Sequence, residues 1–189
     1  MLAILVKNDV LTNLNQQIYD AIASLINPPL TGAMIATSFW GEWYVWLSLA
    51  IILCWPAKTR TNFGWPLLFA TLVAGALAVF TKDVFRIARP HIHWLVQEVG
   101  YSFPSGHVTI STAFVTTFLY FFLCSRTKKP WKVLIATLAI LWVLLIGFSR
   151  IYLGVHNLTD VMGGYLVGIS VAAAVIFAKE TYQIKVCGK

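Results

Sequence analysis

Apolar residues run through this chain in five long stretches separated by short polar clusters. The stretches cover approximately Thr37 to Trp55, Phe63 to Thr81, His107 to Cys124, Val133 to Phe148 and Val161 to Ala178. Each is long enough, or nearly so, to cross the roughly 30 Å hydrocarbon core of a bilayer as a helix. Trp40, Trp43, Trp55, Trp65 and Trp131 fall near the proposed ends, where amphipathic rings favour the headgroup layer. Ahead of the first run, Leu11, Leu14, Ile18, Ala21, Ile22 and Leu25 are spaced for one face of a helix. That spacing predicts an amphipathic helix over Leu11 to Ile26 lying in the interface and closed by Asn27-Pro28-Pro29. Asn13, Asn15, Gln16, Gln17 and Asp20 interrupt it too often for a sixth span. With no repeat, low-complexity tract or linker, residues 1–189 read as one domain. The expected fold is all-α: an integral membrane bundle of about five transmembrane helices plus an N-terminal interfacial helix.

Composition supports this picture. The chain is 59% hydrophobic and 11% charged, with a mean hydropathy of +0.76. A soluble domain of 189 residues has no interior able to hide that much apolar surface. The net charge of +7 does not point to nucleic acid, because the basic residues sit in short loops between apolar runs. Cys54, Cys124 and Cys187 are isolated and lack ligand spacing, so neither a disulfide frame nor a zinc site is expected. The opening Met1–Val6 stretch, ended by Lys7, Asn8 and Asp9, is too short for a signal segment.

Five spans put the termini on opposite sides and sort the charges. One side receives Lys58, Arg60, Arg126, Lys128, Lys129, Lys132, Lys179, Lys185 and Lys189; the other receives Lys7, Lys82, Arg86, Arg89 and Arg150. The positive-inside rule assigns the nine-residue side to the cytoplasm. Six of the seven acidic residues then lie outside, giving about −1 there against +8 inside. The polar clusters accordingly face outward, towards the periplasm or cell exterior.

Those clusters carry the chemistry. Lys82, Arg86 and Arg89 are spaced i, i+4, i+7, on one face of a helix that continues until Pro90 halts it. Such a row either neutralises phosphate oxygens or anchors a helix end to anionic headgroups. Arg86 also has Asp83 within reach as a partner. In Pro104-Ser105-Gly106-His107, Ser105 is a natural N-cap, and Gly106 allows a ligand close to backbone at a helix N-terminus, an anion site. His107 can protonate a leaving oxygen there; a capped helix whose histidine faces water is the alternative. Arg150, His156 and Asp160 form the most specific group. A helix starting near His156 puts Asp160 one turn on, able to fix the imidazole tautomer and present the other nitrogen as a nucleophile. A His-x-x-x-Asp pair alone is common on surface helices, but beside an arginine at a span boundary it is expensive to keep. Glu42, near the outer end of the first span, either meets a cation of the site or sits in the interface. His91 and His93 read as solvated loop residues, and Ser149 either binds phosphate or caps backbone. Gly147, Gly154, Gly163, Gly164 and Gly168 read as turn and helix-packing positions.

At these residues the chain resembles the type 2 phosphatidic acid phosphatases, integral membrane enzymes with the pattern Lys-x6-Arg-Pro, Pro-Ser-Gly-His, Ser-Arg-x5-His-x3-Asp. Every fixed position is matched in order between Lys82 and Asp160. The resemblance implies an α-helical bundle and a cofactor-free, metal-independent hydrolysis of lipid phosphate esters. It implies His156 as the nucleophile forming a phosphohistidine, Asp160 as its orienter, and His107 as general acid. Lys82, Arg89, Ser105, Gly106 and Arg150 are implied to hold the phosphate oxygens. The implied partner is a lipid phosphate in the bilayer, foremost undecaprenyl diphosphate; phosphatidylglycerophosphate, phosphatidic acid and lipid A phosphates are close competitors. A lipid phosphotransferase and a non-catalytic lipid-phosphate binding protein are the alternatives of other kinds.

Overall fold

The computed structural model describes residues 11–90 and 94–187, the last three of these by backbone only, and all its regular elements are helical. Helix α1 spans Thr12–Ala23, α2 Pro28–Phe39, α3 Trp43–Cys54, α4 Ala57–Phe85, α5 Gly106–Leu123, α6 Lys129–Tyr152 and α7 Leu158–Cys187. Met1–Val6, His91 and His93 lie outside the described residues, as does the side chain of Cys187.

Among the described residues four helices, α4 to α7, are long and apolar enough to cross a membrane. Their apolarity runs opposite to that of a water-soluble bundle. In α6, 22% of the most apolar window is buried and its hydropathy is 2.3; in α5 the figures are 61% and 1.4. The helix with most outward surface is the greasiest, which is stable only where the surrounding solvent is lipid. Helix α5 can be polar because it is central: Thr109, Ser111, Thr112 and Thr117 are buried along it, two of them bonded to carbonyls of its first turn. Gly164 and Gly168 let α7 cross it closely. A Cβ on Gly168 would lie 2.7 Å from Thr109 O, and one on Gly164 2.9 Å from Val108 Cβ. These glycines serve helix packing, as expected.

The first span is not the single helix Thr37–Trp55. The chain breaks at Trp40–Glu42 between α2 and α3, each of 12 residues and so about 18 Å long. Asn27-Pro28-Pro29 closes α1 and also opens α2: Asn27 Oδ1 accepts from Leu30 N at 3.0 Å, and proline fills the first position, where no N–H is needed. Helix α2 packs against the last turns of α6, anchored at Tyr152, whose hydroxyl accepts from Asn27 N at 3.2 Å and meets Thr31 Oγ1 at 3.0 Å. Helix α3 then runs to the far end, where Arg60 caps its last carbonyls, donating from Nε to Cys54 O at 2.9 Å. Trp46 packs on Phe114 with ring centroids 4.9 Å apart, inside a core that includes Ala50, Leu67, Ala74 and Ile146.

Helix α1 lies where the sequence places an interfacial helix, with Leu14 exposed, Ile22 buried against Met34 and Tyr152, and Leu25 exposed just beyond its end. It also grips α7: Asn15 Nδ2 donates to Thr159 Oγ1 at 3.1 Å. The alternation of α3 to α7 brings Lys82, His107, Arg150 and Asp160 to one end of the bundle. Arg60, Arg126, Lys128 and Lys179 belong to the other end, where Lys179 Nζ donates to Asn62 O at 3.1 Å.

Candidate active site

The polar clusters meet where α4 and α6 end and α5 and α7 begin. Backbone bonds stitch them together: Ser105 N donates to Asp160 O at 3.1 Å, and Ser102 N to Ile87 O at 2.8 Å.

His156 occupies the turn between α6 and α7, just after Gly154, whose φ of 76° lets the chain reverse. Helix α7 begins at Leu158 rather than at His156, so the histidine stands ahead of the helix. Asp160 still reaches it. The carboxylate folds back over the helix start, its Oδ2 accepting from Asn157 N at 2.8 Å as the third-position partner of a capping box. Asp160 Oδ2 is 3.6 Å from His156 Nδ1, too long for a direct hydrogen bond. Ser102 bridges the two: Oγ donates to Asp160 Oδ2 at 2.5 Å and lies 3.3 Å from His156 Nδ1. The hydroxyl oxygen is free to accept Nδ1–H, which leaves Nε2 as the lone-pair nitrogen. Burial drives the His156 pKa down to about 3 despite the opposing pull of Asp160, so the imidazole is neutral at physiological pH. Nε2 faces Arg89 Nη1 at 3.4 Å.

The cations surround this histidine. Arg89 is buried and donates from Nη1 to Val155 O at 2.9 Å, from Nε to Gly100 O at 3.1 Å and from Nη2 to Val99 O at 3.0 Å. Lys82 Nζ donates to Tyr101 O at 2.5 Å. Arg150 bonds Ser38 Oγ through Nη1 and Glu98 Oε1 through Nη2, while Glu98 Oε2 sits 3.5 Å from Arg89 Nη2. Burial pushes the Glu98 carboxyl up, but Arg150, by charge and by hydrogen bond, outweighs it and holds the group below the usual carboxylate range.

His107, on the first turn of α5, approaches Glu42: Nε2 to Oε1 is 3.4 Å, an ion-pair distance rather than a formed hydrogen bond. His107 holds the Glu42 carboxyl below its ordinary range. The break between α2 and α3 makes this approach possible, because a Cβ on Gly41 would stand 2.9 Å from His107 Cδ2. Glu42, Lys82, Glu98 and His107 line a cavity of about 510 Å³ that continues between α3 and α4, past Leu47, to Leu72. Among the described residues, Ser105 Oγ, His107 Nε2, Arg150 Nε and Asp160 Oδ1 are buried without a hydrogen-bond partner. Four unsatisfied polar atoms at one place suit a site built to receive a polar group.

Several expectations need correction. Helix α4 ends at Phe85, and Arg86 follows in a left-handed conformation (φ 51°), so Lys82, Arg86 and Arg89 do not share a helical face. Arg86 is exposed and donates to the backbone oxygen of Asp83, not to its carboxylate. Ser105 holds the N-cap position of α5, but its hydroxyl caps nothing. Ser149 bonds Ile146 O, a backbone role. Glu42 meets a site residue, His107. Glu98 and Ser102 were not singled out by the sequence. Their only signal is position, in the loop between two cationic or histidine-bearing motifs.

Residues 63–183 match the PAP2 superfamily. Over 174 residues, 88% of this chain and 77% of the relative, the chain is 31% identical to an undecaprenyl-diphosphatase of Sulfolobus acidocaldarius. It is 36% identical over 114 residues to phosphatidylglycerophosphatase B of Bacillus subtilis, spanning 56% of this chain and 54% of that one. The fold is similar to the crystal structure of the transmembrane PAP2-type phosphatidylglycerolphosphate phosphatase from Bacillus subtilis, with a TM-score of 0.81 and 28% identity, covering 95% of this chain and 91% of the other. Aquifex aeolicus LpxE gives a TM-score of 0.69 at 29% identity, with 86% and 94% covered. The family match over most of the chain, together with four helices able to cross a membrane and relatives named as lipid phosphatases, identifies a membrane lipid phosphate hydrolase: the chain belongs to the PAP2 superfamily.

Proposed function

We propose that the whole chain acts as one membrane domain that hydrolyses undecaprenyl diphosphate to the monophosphate at the extracytoplasmic face of the bacterial cytoplasmic membrane, through a phosphohistidine. The observation that carries the mechanism is the pose of His156. Nδ1 is tied to Asp160 through Ser102, and Nε2 is turned towards Arg89.

In this reading the His156 Nε2 lone pair attacks phosphorus as the P–O bond to the leaving group breaks. His107 supplies the proton that the leaving phosphate or alcohol takes. Water then attacks the phosphoryl group, His107 accepts its proton, the P–N bond breaks, and inorganic phosphate departs. Lys82, Arg89 and Arg150, with Ser105 Oγ and the amides around Gly106, balance the charge that builds on the phosphoryl oxygens. Asp160 and Ser102 hold the imidazole through both steps and stabilise its positive charge once Nε2 is phosphorylated.

The cavity between α3 and α4 supports a substrate whose headgroup enters beside His107 while its tail stays at membrane depth, along Leu47 and Leu72. Orientation is supported by charge: Lys58, Arg60, Arg126, Lys128, Lys129, Lys132 and Lys179 all belong to the end remote from the site. The diphosphate is favoured by the undecaprenyl-diphosphatase relative, matched along most of both chains. The Bacillus subtilis relatives favour phosphatidylglycerophosphate as a second reading.

The test is phosphate release by the purified protein from undecaprenyl diphosphate, phosphatidylglycerophosphate, phosphatidic acid and lipid A, each supplied alone. The proposal expects undecaprenyl diphosphate to give the highest kcat/KM. A preference for phosphatidylglycerophosphate of about tenfold or more, 1.4 kcal/mol of transition-state binding, replaces the first reading with the second. Lipid-to-lipid transfer without free phosphate would make the protein a phosphotransferase.

A further inference from the structure

Four consecutive residues, Glu98 to Tyr101, contact all three cations of the site. The Glu98 carboxylate bridges Arg89 and Arg150, the carbonyls of Val99 and Gly100 accept from Arg89, and that of Tyr101 accepts from Lys82. The segment is held on both sides: Leu95 N donates to Leu153 O at 3.0 Å and Ser102 N to Ile87 O at 2.8 Å. Between those anchors Gly100 has a φ of 77°, a conformation that favours glycine. Glu98 lines the inner cavity, whereas His156, 3% exposed, does not.

Charge makes the same point. Lys82, Arg89, Arg150 and the proton that His107 carries as general acid are offset, all but one charge, by Glu42, Glu98 and Asp160, so little net positive charge is left for a phosphate to meet. A dianion that replaced Glu98 on the two guanidiniums would find charge-assisted donors already oriented for it.

We propose that Glu98 is an internal competitor for the phosphate site: it keeps Arg89 and Arg150 in place, stands between the cavity and His156, and swings away when a phosphate binds. This rests on the reading of those arginines as phosphate ligands. Glu98 thereby sets phosphate affinity, for the headgroup that arrives and for the inorganic phosphate that must leave.

The experiment measures competitive inhibition by inorganic phosphate in the full-length protein. Glu98→Gln keeps the shape and removes the charge, and its inhibition constant falls by about tenfold, the size of one charge-assisted contact. An unchanged or higher constant overturns the proposal. The double variant Glu98→Gln with Arg150→Met removes both members of the buried Glu98–Arg150 pair, leaves Arg89 on the carbonyls of Val99, Gly100 and Val155, and loses that inhibition. If it is inhibited as strongly as Glu98→Gln alone, the reading of the arginines fails instead. Hydrogen exchange on the wild-type protein decides the matter even if a variant misfolds. Saturating inorganic phosphate speeds exchange of amides 99–101 if Glu98 is displaced, and unchanged or slower exchange there contradicts displacement.

Discussion

Replacing Ser102 by alanine removes one oxygen from a fully buried position and breaks the link between Asp160 and His156. Asp160 keeps its bond from Asn157 N, but Oδ1 already has no partner and the direct distance to His156 Nδ1 is 3.6 Å. A hydrogen bond to a buried charged group contributes about 1.5–3 kcal/mol. The imidazole needs this anchor most when it carries the phosphoryl group and a positive charge, so the loss falls on the transition states rather than on substrate binding. At 1.36 kcal/mol per factor of ten, Ser102→Ala should lower kcat by about 10- to 150-fold with KM little changed. The assay is initial phosphate release in detergent micelles at saturating lipid, with thermal unfolding run alongside to show that the bundle is intact. A kcat within about threefold of wild type, a loss under 1 kcal/mol, in an intact protein would refute the bridging role.

Two further predictions follow from charge. His156 has a folded pKa of about 3 against about 6.5 in an unfolded chain, so above pH 6.5 it is neutral in both states and contributes no pH dependence. As pH falls below that value the unfolded state binds a proton that the native state refuses, and stability drops by about 2 kcal/mol between pH 7 and pH 5. Thermal unfolding over that window should be steeper for wild type than for His156→Gln, and equal slopes would contradict a buried neutral imidazole. A cysteine placed at Lys128, in the basic loop remote from the site, should resist an impermeant thiol reagent in intact cells; reaction there would reverse the assigned orientation.

The sequence displayed most of this architecture because lipid imposes simple rules. Runs free of charge had to be helices, and the positions of Lys82, His107, Arg150 and Asp160 at run ends placed them at one boundary. The break at Trp40–Glu42 was hidden because apolar residues continue on both sides of it; Gly41 and Glu42 alone mark the place where the chain turns to reach His107. Asn27-Pro28-Pro29 signals both a stop for α1 and a start for α2, and the start lies well before the apolar run that follows it. The helical row Lys82, Arg86, Arg89 failed for a local reason, the left-handed Arg86 that ends α4 before Pro90. Glu98 and Ser102 have no periodicity to betray them. Their positions are fixed by bonds to motif residues distant in sequence, which no spacing rule encodes.

The most direct test of the account is to trap the covalent intermediate. Protein mixed with undecaprenyl diphosphate labelled in its terminal phosphate, quenched under alkaline denaturing conditions where phosphohistidine survives, should carry acid-labile label at His156 and none in His156→Ala. Label on another residue, or undiminished phosphate release by a folded His156→Ala protein, would contradict the mechanism.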